Sequence, residues 1–468
     1  MTISGELALA TMTEVSALIR TGKLSPVEVT EAMLARIATI DPKLHGYALL
    51  TPEIARSQAR AAEAEIQAGR WRGPLHGIPI GLKDLCFTKG VPSAAGMTIY
   101  KNWVPDENGT VVARLAAAGA VLLGKLQMTE AAYADHHPKT QRPLNPWDAA
   151  RWAGASSSGS GVATAAGLCF GSIGSDTGGS IRFPSACNNV TGLKPTWGRV
   201  SRYGAFALSD SLDHLGPMTR SAADAAVMLY AIAGLDDRDP TSLPAPVPDY
   251  VGACTAGVWG ARGLKIGIDP TFNAIGGDAV VAALTTAAAK VFGEIGAELV
   301  EIKFPDVSAV LELWPPTCAV ETALVHRETY PSRKEEYGST LASFIELGLA
   351  TTPLTLARAA IERDKFKGRL ARLFTGLDLV LIPAMPFAAP TFEQMKLDNP
   401  DVVGKLLTFT APFDMSGSPT ITLPAGFTSA GLPVGFQLVG PHLSEAELLR
   451  AGHAFQQATD WHSRHPTL

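Results

Sequence analysis

Apolar positions along the chain follow two alternating periods. After Ser25-Pro26-Val27-Glu28, residues Val29, Met33, Leu34 and Ile37 recur at the spacing of one helical face. Ser25 is placed to cap, Pro26 to take the first helical position and Glu28 to close a capping box. Residues 8–70 accordingly read as helical. GIPIGLKDL (77–85) is instead short, apolar and bounded by glycine, the pattern of a buried strand. Residues 109–119 predict a helix ending at Gly119. AVLLGKL (120–126) predicts a strand, VATAAGL (162–168) a small-residue helix, and CFGSIGSD a strand running into a turn. DDRDPTSLPAPVPDY (236–250) is polar and Pro-rich and reads as a loop. Beyond it come strands at 264–269, 298–304 and 377–383, a helix at 278–296 capped by Asp278, and helical material over 318–374. The stretches SPTITLPAGF (418–427) and GLPVGFQLVG (431–440) follow. A last helix is expected from Ser444, with Glu447 in capping-box position, to about Ala458. Strands alternating with helices predict an α/β fold whose sheet is covered on both faces.

Composition narrows this. With 46% hydrophobic and 18% charged residues over 468 positions, the chain can bury a large core and is not expected to be disordered. A net charge of −5 gives no pull toward nucleic acid or an anionic membrane. Cys86, Cys169, Cys187, Cys254 and Cys318 are odd in number and scattered, which favours reduced thiols over disulfides or a zinc site. The opening MTISGELALATMTEV lacks a basic segment and carries Glu6, so no signal peptide is expected. No apolar run approaches the ~18 residues of a membrane span. The expectation is a soluble, cytoplasmic protein.

Several motifs fail on chemistry. GAVLLGKL (119–126) nearly matches a phosphate-binding loop, but Leu126 stands where a hydroxyl should hold Mg²⁺. Asp135-His136-His137 has no further ligand at metal-binding spacing and reads as a surface loop. Neither Ser156 nor Ser180 lies in the G-x-S-x-G of an α/β-hydrolase. His214, in SLDHLG, reads as a structural histidine in apolar surroundings.

Three pieces fit one chemistry. Lys83 sits inside an apolar strand, where burial disfavours its charged form and leaves a competent general base. Taken alone, it reads first as a Lys83–Asp84 neighbour pair at a strand end and only second as a base. AGASSSGSGVATAAG (153–167) has linker composition but carries three consecutive serines, Ser156 to Ser158. Ser175-Asp176-Thr177-Gly178-Gly179-Ser180 places two glycines before a serine, which permits a turn that aims several N–H groups at one point.

Together, GIPIGLKD, the serine-rich turn and GSDTGGSIRFPSACNNVTGLKPT (174–196) resemble the amidase signature family. NPWD (145–148), GRVSRYG, SLDHLGPMTRSAADAA (211–226) and PFDMSGSPTITLPAGF extend the likeness over most of residues 8–458, most weakly over 236–410. The resemblance implies one domain over 1–468, built on a large twisted mixed sheet with helices on both faces. Its N-terminal region (about 1–70) would be helical, and its variable region (about 236–410) richer in helix. It implies a relay from Lys83 through Ser156, preceded by a cis peptide bond, to the nucleophile Ser180. Aligning the family's G-G-S-S-G-G on residues 154–159 selects Ser156 over Ser157. Thr177, Gly178 and Gly179 would form the oxyanion hole, and Asp176 and Arg182 would support the turn. Glu130, Tyr133 and Trp314 are candidates for the substrate pocket.

The implied reaction is hydrolysis of a small amide, carbamate or ester, with no metal, organic cofactor, nucleic acid or membrane involved. A homodimer is common in such a family. Ala155 and Ser158 replace glycines usual there, and Asp414 stands where asparagine is frequent. The main competitor is the glutaminase component of a tRNA-dependent amidotransferase, although its Tyr-rich stretch is missing from 318–374. A non-catalytic scaffold of the same fold would have no need of Lys83, Ser156 and Ser180 together.

Overall fold

The glycine-bounded apolar runs become strands with both faces buried. The computed structural model describes residues 5–395 and 400–468. Among these, eleven strands form one sheet. They are β1 Tyr47–Leu50, β2 Pro79–Lys83, β3 Val121–Leu126, β4 Gly171–Asp176, β5 Thr191–Lys194, β6 His214–Thr219, β7 Lys265–Ile268, β8 Glu298–Glu301, β9 Leu379–Pro383, β10 Thr420–Phe427 and β11 Pro433–Val439. Their order is β1-β3-β2-β4-β6-β5-β10-β11-β9-β7-β8. β2 runs parallel to β3 and β4, and β7 parallel to β8 and β9, while the other neighbours are antiparallel. The mixed, helix-covered α/β sheet agrees with the expected fold class. Central strands such as β3, β4 and β9 are buried along their whole length, whereas β1 and β8 at the two edges are largely exposed.

Local signals held where they were complete. Ser25 caps the helix Pro26–Leu44 by accepting from the Val27 and Glu28 N–H groups, and Glu28 accepts in return from the Ser25 N–H. Two other caps do not form. Asp278 precedes the helix Ala279–Glu294, but its side chain makes no bond to the first turn. Ser444 donates its hydroxyl to the Pro441 carbonyl (2.7 Å) and so does not cap Glu445–Ala458. The stretch 8–70, expected to be helical, is interrupted by β1, an edge strand that Tyr47 registers against Leu126.

The serine-rich turn is not a linker. Ser158–Ala165 is a helix, four residues earlier than its apolar pattern suggested, and every residue of it is buried. Gly159 packs against the Gln127 backbone and Gly161 against Pro184, so only small residues fit there. The loop at Asp135-His136-His137 turns inward rather than lying on the surface. His137 is buried, and His136 Nε2 lies 3.0 Å from Ser158 Oγ. No group of side chains suited to a metal ion occurs among the described residues. There is also no single helix among them long and apolar enough to cross a membrane; the pair Ser339–Ala350 and Pro353–Leu373 reaches that length only with a 96° bend.

Candidate active site

Lys83 and Asp176 are the last residues of β2 and β4, neighbouring parallel strands paired through Gly81–Ser172 and Leu82–Ile173. Side chains at the carboxyl ends of such strands face the crevice where ligands bind in α/β sheets. The Lys83 side chain is fully buried. Asp84 does not pair with it: the Asp84 carboxylate lies 3.6 Å from Lys125 Nζ, and Lys125 also donates to the Cys86 carbonyl (2.6 Å). Lys83 Nζ instead meets three hydroxyls, Ser156 Oγ at 2.6 Å, Ser157 Oγ at 2.8 Å and Ser175 Oγ at 2.8 Å. Burial pushes its amine down to about 7, against weaker pulls upward from Cys86, Asp176 and Asp213.

The three hydroxyls are not equivalent. A neutral amine has two N–H groups and one lone pair. Ser157 Oγ donates to the Ser175 carbonyl (3.1 Å) and accepts from the Ser175 N–H (3.2 Å), so its proton is already engaged. Ser156 Oγ and Ser175 Oγ have no other bond among the described residues, so the proton of either is free to meet the Lys83 lone pair. The Ala155–Ser156 peptide is cis. This geometry separates Ser156 from its neighbour on grounds that sequence spacing did not supply. Sequence analysis placed Ser157 second to Ser156 for the bridge and gave Ser175 no role of its own, because buried serines in a small-residue segment carry no distinguishing pattern.

Ser180 closes the turn 176–180. The Ser157 N–H donates to the Ser180 carbonyl (3.3 Å), joining the serine turn to the turn 176–180. Asp176 organises the rest. It accepts from the N–H groups of Gly179 (2.7 Å), Ile181 (3.0 Å) and Arg182 (3.3 Å), and from Arg182 Nε and Nη2. Burial alone would raise the Asp176 carboxyl, but the Arg182 guanidinium outweighs it and holds the group well below the ordinary carboxylate range. Arg182 also donates to the Thr410 carbonyl (2.8 Å) and to Asp414 Oδ2 (2.6 Å). His214 bridges the Asp176 carbonyl and Lys194 Nζ, each at 3.2 Å, as a structural histidine does.

Of the three N–H groups expected to form the oxyanion hole, that of Gly179 is engaged within the turn. Its N–H already donates to Asp176 and is not a free oxyanion donor. Glycine is required there by its φ of +135° and by the Phe183 ring packed where a side chain would begin. The N–H groups of Thr177, Gly178 and Ser180 have no acceptor among the described residues. The turn's orientation is fixed from outside. Trp314 Nε1 donates to the Thr177 carbonyl (2.8 Å), and Thr410 Oγ1 to the Gly178 carbonyl (2.7 Å). Because a trans peptide is planar with C=O and N–H opposed, each bond turns the next residue's N–H the other way. Gly178 admits Trp314 only because it lacks a side chain: a Cβ there would lie 2.5 Å from the indole.

A cavity of about 580 Å³, measured out to its open mouth, ends on Ser180, Thr177 and Gly178. Tyr133, Trp152, Phe183, Leu208, Trp314 and Leu406 supply much of its wall. Tyr133 stacks on Phe344 with ring centroids 3.9 Å apart, and the Trp314 ring lies 6.5 Å from Phe344 at an interplanar angle of 29°. Glu130 lies outside this lining. Its carboxylate accepts from the Gly338 N–H (3.0 Å), and burial raises it to about 7.

The chain belongs to the Amidase family, which it matches over residues 28–449, and it is an amide-cleaving hydrolase. Among its relatives, "Putative amidase AmiD" of Mycobacterium tuberculosis is 48% identical over 457 residues, covering 97% of this chain and 95% of that one. The A-type component of the glutamyl-tRNA(Gln) amidotransferase of Chloroflexus aggregans is 40% identical over 490 residues, covering 99% of each chain. The solved peptide amidase of Stenotrophomonas maltophilia superposes with a TM-score of 0.84 at 30% identity, covering 99% of each chain.

Proposed function

We propose that the enzyme hydrolyses a carbon–nitrogen bond through an acyl-enzyme on Ser180, using Ser156 and neutral Lys83 as its proton relay. Lys83 draws the proton of Ser156, and Ser156 draws that of Ser180. The freed Ser180 oxygen attacks the carbonyl, and the oxyanion rests on the N–H groups of Thr177, Gly178 and Ser180. The relay then returns the proton to the departing amine. Water, deprotonated by the same route, releases the acid and restores Ser180. The observation that carries this reading is the Lys83 amine, buried without a carboxylate partner and 2.6 Å from a hydroxyl whose proton is otherwise unengaged.

The test is release of product from an aryl amide. Wild-type enzyme should turn it over, and Ser180→Ala of unchanged circular dichroism should not. Near-normal activity in that variant would remove the nucleophile assignment.

The same reading treats residues 1–468 as one unit acting on free small molecules. Its five cysteines are unpaired and buried, which supports work in a reducing cytoplasm. A homodimer is the assembly to be checked, by light scattering. The glutaminase reading has the support of the 40% identical amidotransferase component. Against it stands the cavity wall: among the described residues no side chain of its lining carries a charge, whereas glutamine brings an ammonium and a carboxylate.

A further inference from the structure

The cavity that ends on Ser180 has walls of one kind. Its aromatic side chains are Tyr133, Trp152, Phe183 and Trp314, with Leu208 and Leu406 between them. The polar side chains it includes are few. Thr177 Oγ1 is held by Asp213 Oδ1 at 2.6 Å and is not available to a ligand. Ser180 is the proposed nucleophile. The Tyr133 hydroxyl has no protein partner among the described residues, and burial raises it above the ordinary tyrosine range, so it is a neutral hydrogen-bonding group. An ion placed in this space would lose its hydration and meet no counter-charge among the described residues of the lining. An apolar group would gain from each part of its surface that it removes from water.

Resting on the hydrolase reading above, we infer that the substrates are amides of uncharged aryl or arylalkyl carboxylic acids, with the acyl group lying in the Tyr133–Trp152–Trp314 cavity. The Tyr133–Phe344–Trp314 stack is the element that selects it. It offers flat apolar surface to the acyl group, and the Trp314 indole N–H anchors that surface to the Thr177 carbonyl beside the reacting centre. Water adds across the C–N bond, giving the aryl acid and the amine.

The test compares kcat/KM for phenylacetamide, 4-phenylbutyramide, acetamide, succinamic acid and L-glutamine, each with Ser180→Ala as blank. The two phenyl amides are expected to exceed the charged amides at least 100-fold and acetamide at least 10-fold. Leu406→Asp is expected to lower the ratio of phenylacetamide to acetamide at least 10-fold, chiefly through KM. Ser180-dependent turnover of glutamine or succinamic acid as good as that of the phenyl amides would overturn the acyl class and leave the hydrolase standing. An unchanged ratio in Leu406→Asp would overturn the placement of the acyl group. Absence of Ser180-dependent turnover on all five amides, with Ser180 also unlabelled by a fluorophosphonate, would overturn the relay itself and this inference with it.

Discussion

Two walls meet at Ser180, and they are built by opposite rules. The relay wall is polar and dry. Lys83, Ser156, Ser157, Ser175, Asp176 and Arg182 come from the ends of β2 and β4 and the turns beside them, and nearly every bond is made inside the cluster. The acyl wall is apolar and open to the mouth, and its residues come from segments as distant as Tyr133, Leu208, Trp314 and Leu406. On the proposed reading the first fixes what reaction occurs, because a proton relay tolerates little displacement, and the second fixes which molecule undergoes it, because dispersion and burial are non-directional and tolerate change.

If that division is right, substitutions should separate by wall. The largest loss is expected on the relay side. Ser180→Ala and Lys83→Met should each lower kcat/KM by roughly 10⁴ or more, measured on an aryl amide, with no change in thermal midpoint that would indicate unfolding. Gly178→Ala should follow, at about 10²–10³ in kcat, since its added methyl meets Trp314 and shifts the oxyanion donors.

The serine pair offers a finer break. Ser156→Ala should fall with the first group. Ser157→Ala removes only a hydroxyl that holds the amine and the Ser175 N–H, about 1–2 kcal/mol or roughly tenfold in kcat. Equal losses, or the reverse order, would reassign the bridge. Smallest is Trp314→Phe, which keeps the aromatic wall but removes the donor to the Thr177 carbonyl. It should lower kcat a few-fold to roughly tenfold with KM for phenylacetamide nearly constant, showing one residue serving both walls by separate atoms.

The same division decided what the sequence could reveal. The relay needs particular residue types at particular spacings, so Lys83 in an apolar strand and a serine after two glycines stood out. A holding residue such as Thr410 did not, because a hydroxyl bonded to backbone leaves no pattern. Of the acyl wall, Tyr133 and Trp314 came only as candidates, and Leu208 and Leu406 not at all. Their composition is that of any core, and only the fold separates a lining residue from a packed one.

Strands show a similar limit. β2, β3 and β9 are apolar runs with clear ends. β6, HLGPMT, carries Gly216 and Pro217, which argue against a central strand, yet it lies between β4 and β5. There the Leu193 backbone of β5 crowds the space that a side chain at Gly216 would need, so the residue that weakens the local signal is what lets the strands close up.

The central claim is an amine that is neutral near physiological pH, and its most direct test is the rate at which a fluorophosphonate labels Ser180 between pH 5 and 10. Burial lowers the Lys83 amine to about 7, so its base form is scarce below that pH and dominant above it. The labelling rate should therefore climb through a single ionisation near 7 and level off above about 8. Glu130, raised to about 7 by burial, ionises in the same window, so Glu130→Gln is the control and should keep the same rising limb. A rate flat from pH 5 to 9, or a limb that vanishes in Glu130→Gln, would contradict the relay.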